Sequence, residues 1–128
     1  MKKILIVDDQ KGIRILLDEV FSREGYEIHQ ASNGLEALNI LKVEDINCVL
    51  LDMKIPGMSG LDILKHIREN KLSIPVFMMT AFREQELMNE ARELGVINYF
   101  TKPFNIFDIR NEVINVLEQG QNYLIEDK

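Results

Sequence analysis

Five short apolar runs punctuate the chain, and each gives way to a polar or turn-forming residue: Ile4–Val7, Tyr26–Ala31, Val49–Leu51, Val76–Met79 and Ile97–Thr101. Runs this short, closed by turn signals, read as strands, and the most apolar of them as strands covered on both faces. Between them lie segments whose apolar residues recur at three- and four-residue steps, the spacing of one helical face. Strands alternating with helices through short loops predict an α/β fold, a doubly wound five-stranded parallel sheet with five helices on its two faces.

The helical stripes can be named. Ile13, Leu16, Leu17, Val20 and Phe21 line the first helix, which Gly25 stops. Ile15 falls outside that stripe, so the first turn carries more apolar surface than one sheet contact needs, and a docking surface is expected there. Asn33-Gly-Leu-Glu36 resembles a capping box, and the spacing of Leu35, Leu38 and Leu41 outweighs the hairpin reading of Asn33-Gly34. Leu61, Leu64 and Ile67 mark the third helix, and Leu87, Ala91 and Leu94 the fourth. Asn105 can cap the last, with Ile106, Ile109, Val113, Val116 and Leu117 facing inward. One domain is expected over residues 1–118, followed by a tail at 119–128 that is polar apart from Tyr123, Leu124 and Ile125 and by no effector domain.

Charge and composition remove several classes of function. A formal net charge of -6 with no basic cluster argues against a nucleic-acid partner. The apolar run after Met1-Lys2-Lys3 is too short for a signal peptide, and no stretch is long enough to cross a bilayer, so no membrane partner and a cytoplasmic location are expected. Cys48 lies within a strand and reads as buried and reduced.

The chemistry gathers at the strand ends. The first, third, fourth and fifth strands end in Asp8-Asp9, Asp52, Thr80 and Lys102, all on one edge of a parallel sheet. Taken alone, Asp52 before Pro56, Gly57 and Gly60 reads more readily as the start of a turn. If the first strand is interior, however, Asp8, Asp9 and Asp52 meet at the topological switch point, with a hydroxyl and an ammonium beside them. Three adjacent carboxylates need a proton or a cation, and oxygen-only ligation at an exposed cleft suits Mg²⁺. Lys102 and the metal would neutralise a transferring phosphoryl group, Thr80 would bond one of its oxygens, and Asp52 would be the nucleophile, forming an acyl phosphate.

Asp8-Asp9, Asp52 within LLDMKIPGMSG, Thr80-Ala81 and Lys102-Pro103 together resemble the receiver domain of bacterial response regulators, from Lys2 to about Leu117. The resemblance implies the flavodoxin-like receiver fold with strand order 2-1-3-4-5. It also implies phosphorylation of Asp52 by a sensor histidine kinase. Mg²⁺ would be bound by Asp9, Asp52 and the Lys54 carbonyl, with Asp8 acting largely through water. Lys102 would contact the phosphoryl group across a cis peptide to Pro103, and Thr80 and Tyr99 would form the switch. DDQKGIRILLDEVFSREGY and FTKPFNIFDIR resemble more narrowly the single-domain phosphorelay members of this family, which serve sporulation in endospore-forming bacteria. That implies a monomer that hands its phosphoryl group to a histidine phosphotransferase and is also a target for an aspartyl-phosphate phosphatase. The docking surface would use Gln10, Ile13, Arg14, Leu16, Pro103 and Phe104.

Some features depart from these patterns or stay outside them. Tyr99 and Phe82 stand where the relay members are expected to carry His and Tyr, and Lys54 and Phe82 are expected to limit the approach of water to the acyl phosphate. His29 and His66 read as residues of solvated faces, and Asp18 and Glu19 as helix-surface charge. A Mg²⁺ phosphatase would want a second acid two residues after its nucleophile, where Lys54 stands. A flavodoxin-like electron carrier would want a hydroxyl- and glycine-rich loop where Asp8-Asp9-Gln10 stands. The remaining alternative is a stand-alone receiver that binds a target when phosphorylated and passes nothing on.

Overall fold

The structure, a computed structural model, describes residues 1–70, 73–81 and 85–119. Strands β1 (Lys3–Val7), β2 (Glu27–Ala31), β3 (Cys48–Asp52), β4 (Val76–Thr80) and β5 (Asn98–Thr101) alternate with helices α1 (Lys11–Arg23), α2 (Gly34–Val43), α3 (Gly60–Glu69), α4 (Gln85–Glu93) and α5 (Ile106–Gln119). The strands form one parallel sheet in the order β2-β1-β3-β4-β5, as expected. The order reverses between β1 and β3, so the crevice of an open sheet opens beyond the ends of these two strands.

Strand alternation divides the core in two. Leu5, Val7, Val49, Leu51 and Met78 face α2, α3 and α4 and pack with Ala37, Ile63, Leu64, Ile67, Met88 and Ala91. Ile4, Ile6, Cys48, Leu50, Phe77 and Met79 face α1 and α5 and pack with Leu17, Phe21, Ile109, Val113, Val116 and Leu117. Every residue of β3 and β4 is buried, which is why these strands read as continuous apolar runs. Burial also pushes the Cys48 thiol up, leaving an inert packing residue.

Parts of the helical stripes stay exposed. Leu16 is 46% exposed beside Ile15, Leu35 is 70% exposed and Leu87 is 40% exposed. Leu17 and Phe21, Ala37, and Met88 with Ala91 supply the buried contacts of those helices instead. The N-terminus of α2 is also arranged differently from a strict capping box. Asn33 Oδ1 accepts from the Glu36 amide, but the Glu36 carboxylate bonds Ser32 rather than the cap residue. At α5, Asn105 Oδ1 accepts from the Phe107 amide, the cap expected there. Phe82 and the tail residues Tyr123, Leu124 and Ile125 lie outside the described residues. No helix among the described residues is long and apolar enough to cross a membrane.

Two contacts hold the loop after β3 against the sheet. The Met53 amide donates to the Met79 carbonyl at 2.8 Å, and the Gly60 amide to the Met53 carbonyl at 2.8 Å. A Cβ on Gly60 would lie 2.1 Å from the Asp52 carbonyl oxygen, so only glycine lets α3 start this close to the strand end. At the far end of α3, Arg68 donates to the Leu94, Ile74 and Gly95 carbonyls, joining α3 to the turn after α4.

Candidate functional site

Asp8, Asp52 and Thr80 are the buried polar residues among those described, and all lie at the C-terminal edge of the sheet. An ordinary core would exclude such groups, so their collection at one strand edge marks a site. Register explains the meeting. Val7 pairs with Leu51, which sets Asp8 beside Asp52, and Thr80 ends β4 opposite Thr101, one residue before Lys102.

Lys102 reaches across this edge. Its Nζ lies 2.9 Å from Asp8 Oδ2 and 3.3 Å from Asp52 Oδ2. Carboxylate oxygens of Asp8, Asp9 and Asp52 all lie within 4.8 Å of one another. Burial, and then the neighbouring Asp8 charge, push the Asp52 carboxyl up to about 6, against the opposing pull of Lys102 and the Lys54 amide. Burial alone would depress the Lys102 ammonium, but Asp8 and Asp52 outweigh it and hold it above its ordinary value. One lysine therefore leaves the carboxylates under-compensated. An all-oxygen donor set with surplus negative charge, one member exposed at Asp9, fits Mg²⁺ by charge and ligand type.

The two buried carboxylates have different free valence. Both oxygens of Asp8 are engaged, Oδ1 by the Gln10 amide at 2.9 Å and Oδ2 by Lys102. Among the described residues, Asp52 Oδ1 is reached by the Lys54 amide at a long 3.4 Å. The Thr80 hydroxyl donates to the Ala81 carbonyl at 3.1 Å. Tyr99 is half-buried on β5, its ring 5.0 Å from the Arg92 guanidinium carbon. The Lys102–Pro103 peptide is cis.

The residues expected to form a docking surface divide. Gln10, Leu16 and Pro103 are exposed, with Ile15 and Phe107 adding apolar surface on α1 and α5. Ile13 and Phe104 are partly buried against the α1/α5 core. Arg14 points inward: its Nη1 donates to the Asp8 carbonyl at 2.7 Å and its Nε to Gln30 Oε1 at 3.2 Å. Asp18, read from sequence as surface charge, is half-buried and accepts from Gln30 Nε2 at 2.6 Å and Ser22 Oγ at 2.7 Å. The sequence signal for this network was weak, because Arg14 and Gln30 belong to different elements and nothing local ties them together.

His66 is half exposed on α3, and His29 is half-buried in the middle of the edge strand β2, paired with Leu5 of β1. His29 bonds Glu27 at 2.7 Å and lies near Glu44, where Lys3 already supplies a cation 2.8 Å from Glu44 and 3.8 Å from Glu27. Neither histidine adjoins the acidic edge.

The response regulator receiver domain pattern matches residues 4–114, and the chain belongs to that family. It is 52% identical to sporulation initiation phosphotransferase F of Bacillus subtilis, over 94% of this chain and 98% of that protein. It is 38% identical to transcriptional regulatory protein SrrA of Staphylococcus aureus, over 97% of this chain but only 51% of that longer protein. Among solved structures, a CheY-like response regulator receiver domain protein from Methanospirillum hungatei superposes with a TM-score of 0.87 at 28% identity, covering 93% of this chain and 95% of that one. The receiver domain of a Francisella response regulator gives 0.86 at 26% identity, covering 94% and 100%.

Proposed function

We propose that the protein is the aspartyl-phosphate carrier of a phosphorelay, taking a phosphoryl group from a sensor histidine kinase onto Asp52 and passing it to a histidine phosphotransferase. The observation that carries this reading is the Asp52 carboxylate, buried at the end of β3 with the Lys102 ammonium 3.3 Å away and two further carboxylates alongside. Similarity to sporulation initiation phosphotransferase F supports the phosphorelay and suggests that the pathway is that of sporulation.

In this reading an Asp52 oxygen attacks phosphorus of the kinase phosphohistidine. The P–N bond breaks and its electron pair returns to the imidazole, leaving a mixed anhydride on Asp52. Onward transfer reverses the chemistry, with an acceptor imidazole nitrogen attacking phosphorus and the Asp52 carboxylate leaving. Mg²⁺, held by Asp9, Asp52 and the Lys54 carbonyl, would supply charge neutralisation at the phosphoryl oxygens. Asp8 would act on it largely through water, its two oxygens being engaged by the Gln10 amide and Lys102. Lys102 neutralises a phosphoryl oxygen. Thr80 exchanges its bond to the Ala81 carbonyl for one to that group, and Tyr99 follows as the switch.

The catalytic unit is residues 1–118, acting as a monomer in the cytoplasm. Partners meet it through exposed Gln10, Leu16 and Pro103, with Ile13 and Phe104 behind them; an aspartyl-phosphate phosphatase would use the same edge. The test is to phosphorylate the protein with a histidine kinase and add a histidine phosphotransferase from the same cell. Loss of label here with gain by the acceptor is the predicted result. Retention of label would leave a receiver that acts by binding alone.

A further inference from the structure

The corner between β1 and α1 carries two of the three clustered carboxylates, yet its helix start lacks the usual support. Gln10 is the N-cap residue, and its side chain makes no capping hydrogen bond. Asp8 braces the corner from inside by accepting the Gln10 amide. The Asp8 backbone carbonyl lies past the end of the β1 ladder, and a buried carbonyl there needs a donor. Arg14 Nη1 supplies it at 2.7 Å, one helical turn along.

The guanidinium is itself held. Its Nε donates to Gln30 Oε1 on β2, and Gln30 Nε2 donates in turn to Asp18, which Ser22 also bonds. Oxygen and nitrogen of the Gln30 amide are thus both used, which fixes the amide and, through it, the plane of the guanidinium. Arginine suits this position because two N–H groups at a fixed angle serve two acceptors; a lysine ammonium lacks that fork.

We propose that Arg14 is a positioning residue for the cation pocket, holding the Asp8-Asp9-Gln10 corner through the Asp8 carbonyl, with Gln30 and Asp18 orienting its guanidinium. The inference rests on the reading of Asp8, Asp9 and Asp52 as a Mg²⁺ pocket. Mg²⁺ demands near-octahedral geometry, so a small drift of the corner carrying Asp9 costs affinity. Removing a partner that orients a metal site lowers metal affinity by about tenfold or more.

The direction of the effect separates this role from simple charge. Arg14 is a cation close to the pocket, so deleting it by Arg14→Met would tighten Mg²⁺ binding if only its field mattered. Positioning predicts the reverse. The measurement is a Mg²⁺ titration followed by the Asp9 backbone amide resonance, on the full chain, with no phosphoryl donor present. Arg14→Met is expected to weaken Mg²⁺ by about tenfold. Gln30→Met, which changes no charge and does not touch Asp8, is expected to weaken it less, and to add little in the double variant. Arg14→Lys, which keeps the charge, is expected not to restore wild-type affinity. Unchanged or tighter binding in Arg14→Met, or full rescue by lysine, would overturn the role. A wild type whose Asp9 resonance ignores Mg²⁺ would instead overturn the pocket reading beneath it.

Discussion

The Lys102 ammonium lies 3.3 Å from the Asp52 carboxylate and closer still, at 2.9 Å, to Asp8. Its charge is therefore shared, and burial, with the Asp8 charge beside it, holds the Asp52 carboxyl up at about 6 against the pull of Lys102. This surplus of negative charge favours a divalent cation at the edge.

Asp52→Asn is expected to stabilise the fold at neutral pH. The native carboxyl titrates near 6 and the unfolded one near the ordinary carboxylate value, so between about pH 4 and 6 the native state holds the extra proton. Wild-type stability therefore falls as pH rises through that window. The variant escapes this loss: urea unfolding should show a gain of about 2 kcal/mol at pH 7 that disappears near pH 4. A gain independent of pH would contradict the origin given for it.

Lys102→Met removes the cation shared by two buried acids. It is expected to cost about 3 kcal/mol at pH 7 and less at pH 5, where one carboxyl is protonated. Added Mg²⁺ should return part of that stability. Chemical denaturation at the two pH values, with and without Mg²⁺, reads both effects.

Gly60→Ala sets a methyl 2.1 Å from the Asp52 carbonyl oxygen and 2.8 Å from Met53 Cα. Backbone cannot yield as a side-chain tip does, so a loss of about 2–3 kcal/mol is expected. Because the clash falls on Asp52 itself, phosphoryl uptake should drop as well. Unchanged uptake in a folded variant would show that the start of α3 does not position the acceptor.

Arg68→Met is the contrasting case. It breaks the hydrogen bonds to the Leu94, Ile74 and Gly95 carbonyls at the end of the sheet away from the acidic edge, for an expected cost of about 2–3 kcal/mol. Thermal or urea unfolding should register this, while phosphoryl uptake per folded molecule stays at the wild-type level.

How much was legible in the sequence depended on whether a residue's position was set by its own element. Asp8, Asp52 and Thr80 were placed by their strands, because a parallel sheet delivers every strand's C-terminal end to one edge. The glycine stops and the Asn33 and Asn105 caps were similarly local. Leu16, Leu35 and Leu87 lie on helical stripes yet stay exposed, because a three- and four-residue stripe leaves its edge undefined. The stripe's phase against the sheet is set by packing with other elements. Arg14 was read as surface for a related reason: a long side chain at a helix start can reach outward or back, and the acceptors that turn it inward come from β2 and from the corner before it. Asp18 was missed with it, since its partner Gln30 lies beyond the turn after α1.

The most direct test of the central claim is intact mass after incubation with a small acyl-phosphate donor, with and without Mg²⁺, for the wild type and Asp52→Ala. A single phosphoryl gain that requires Mg²⁺ and is absent from the variant is expected. No gain, or a gain that survives the loss of Asp52, would contradict it.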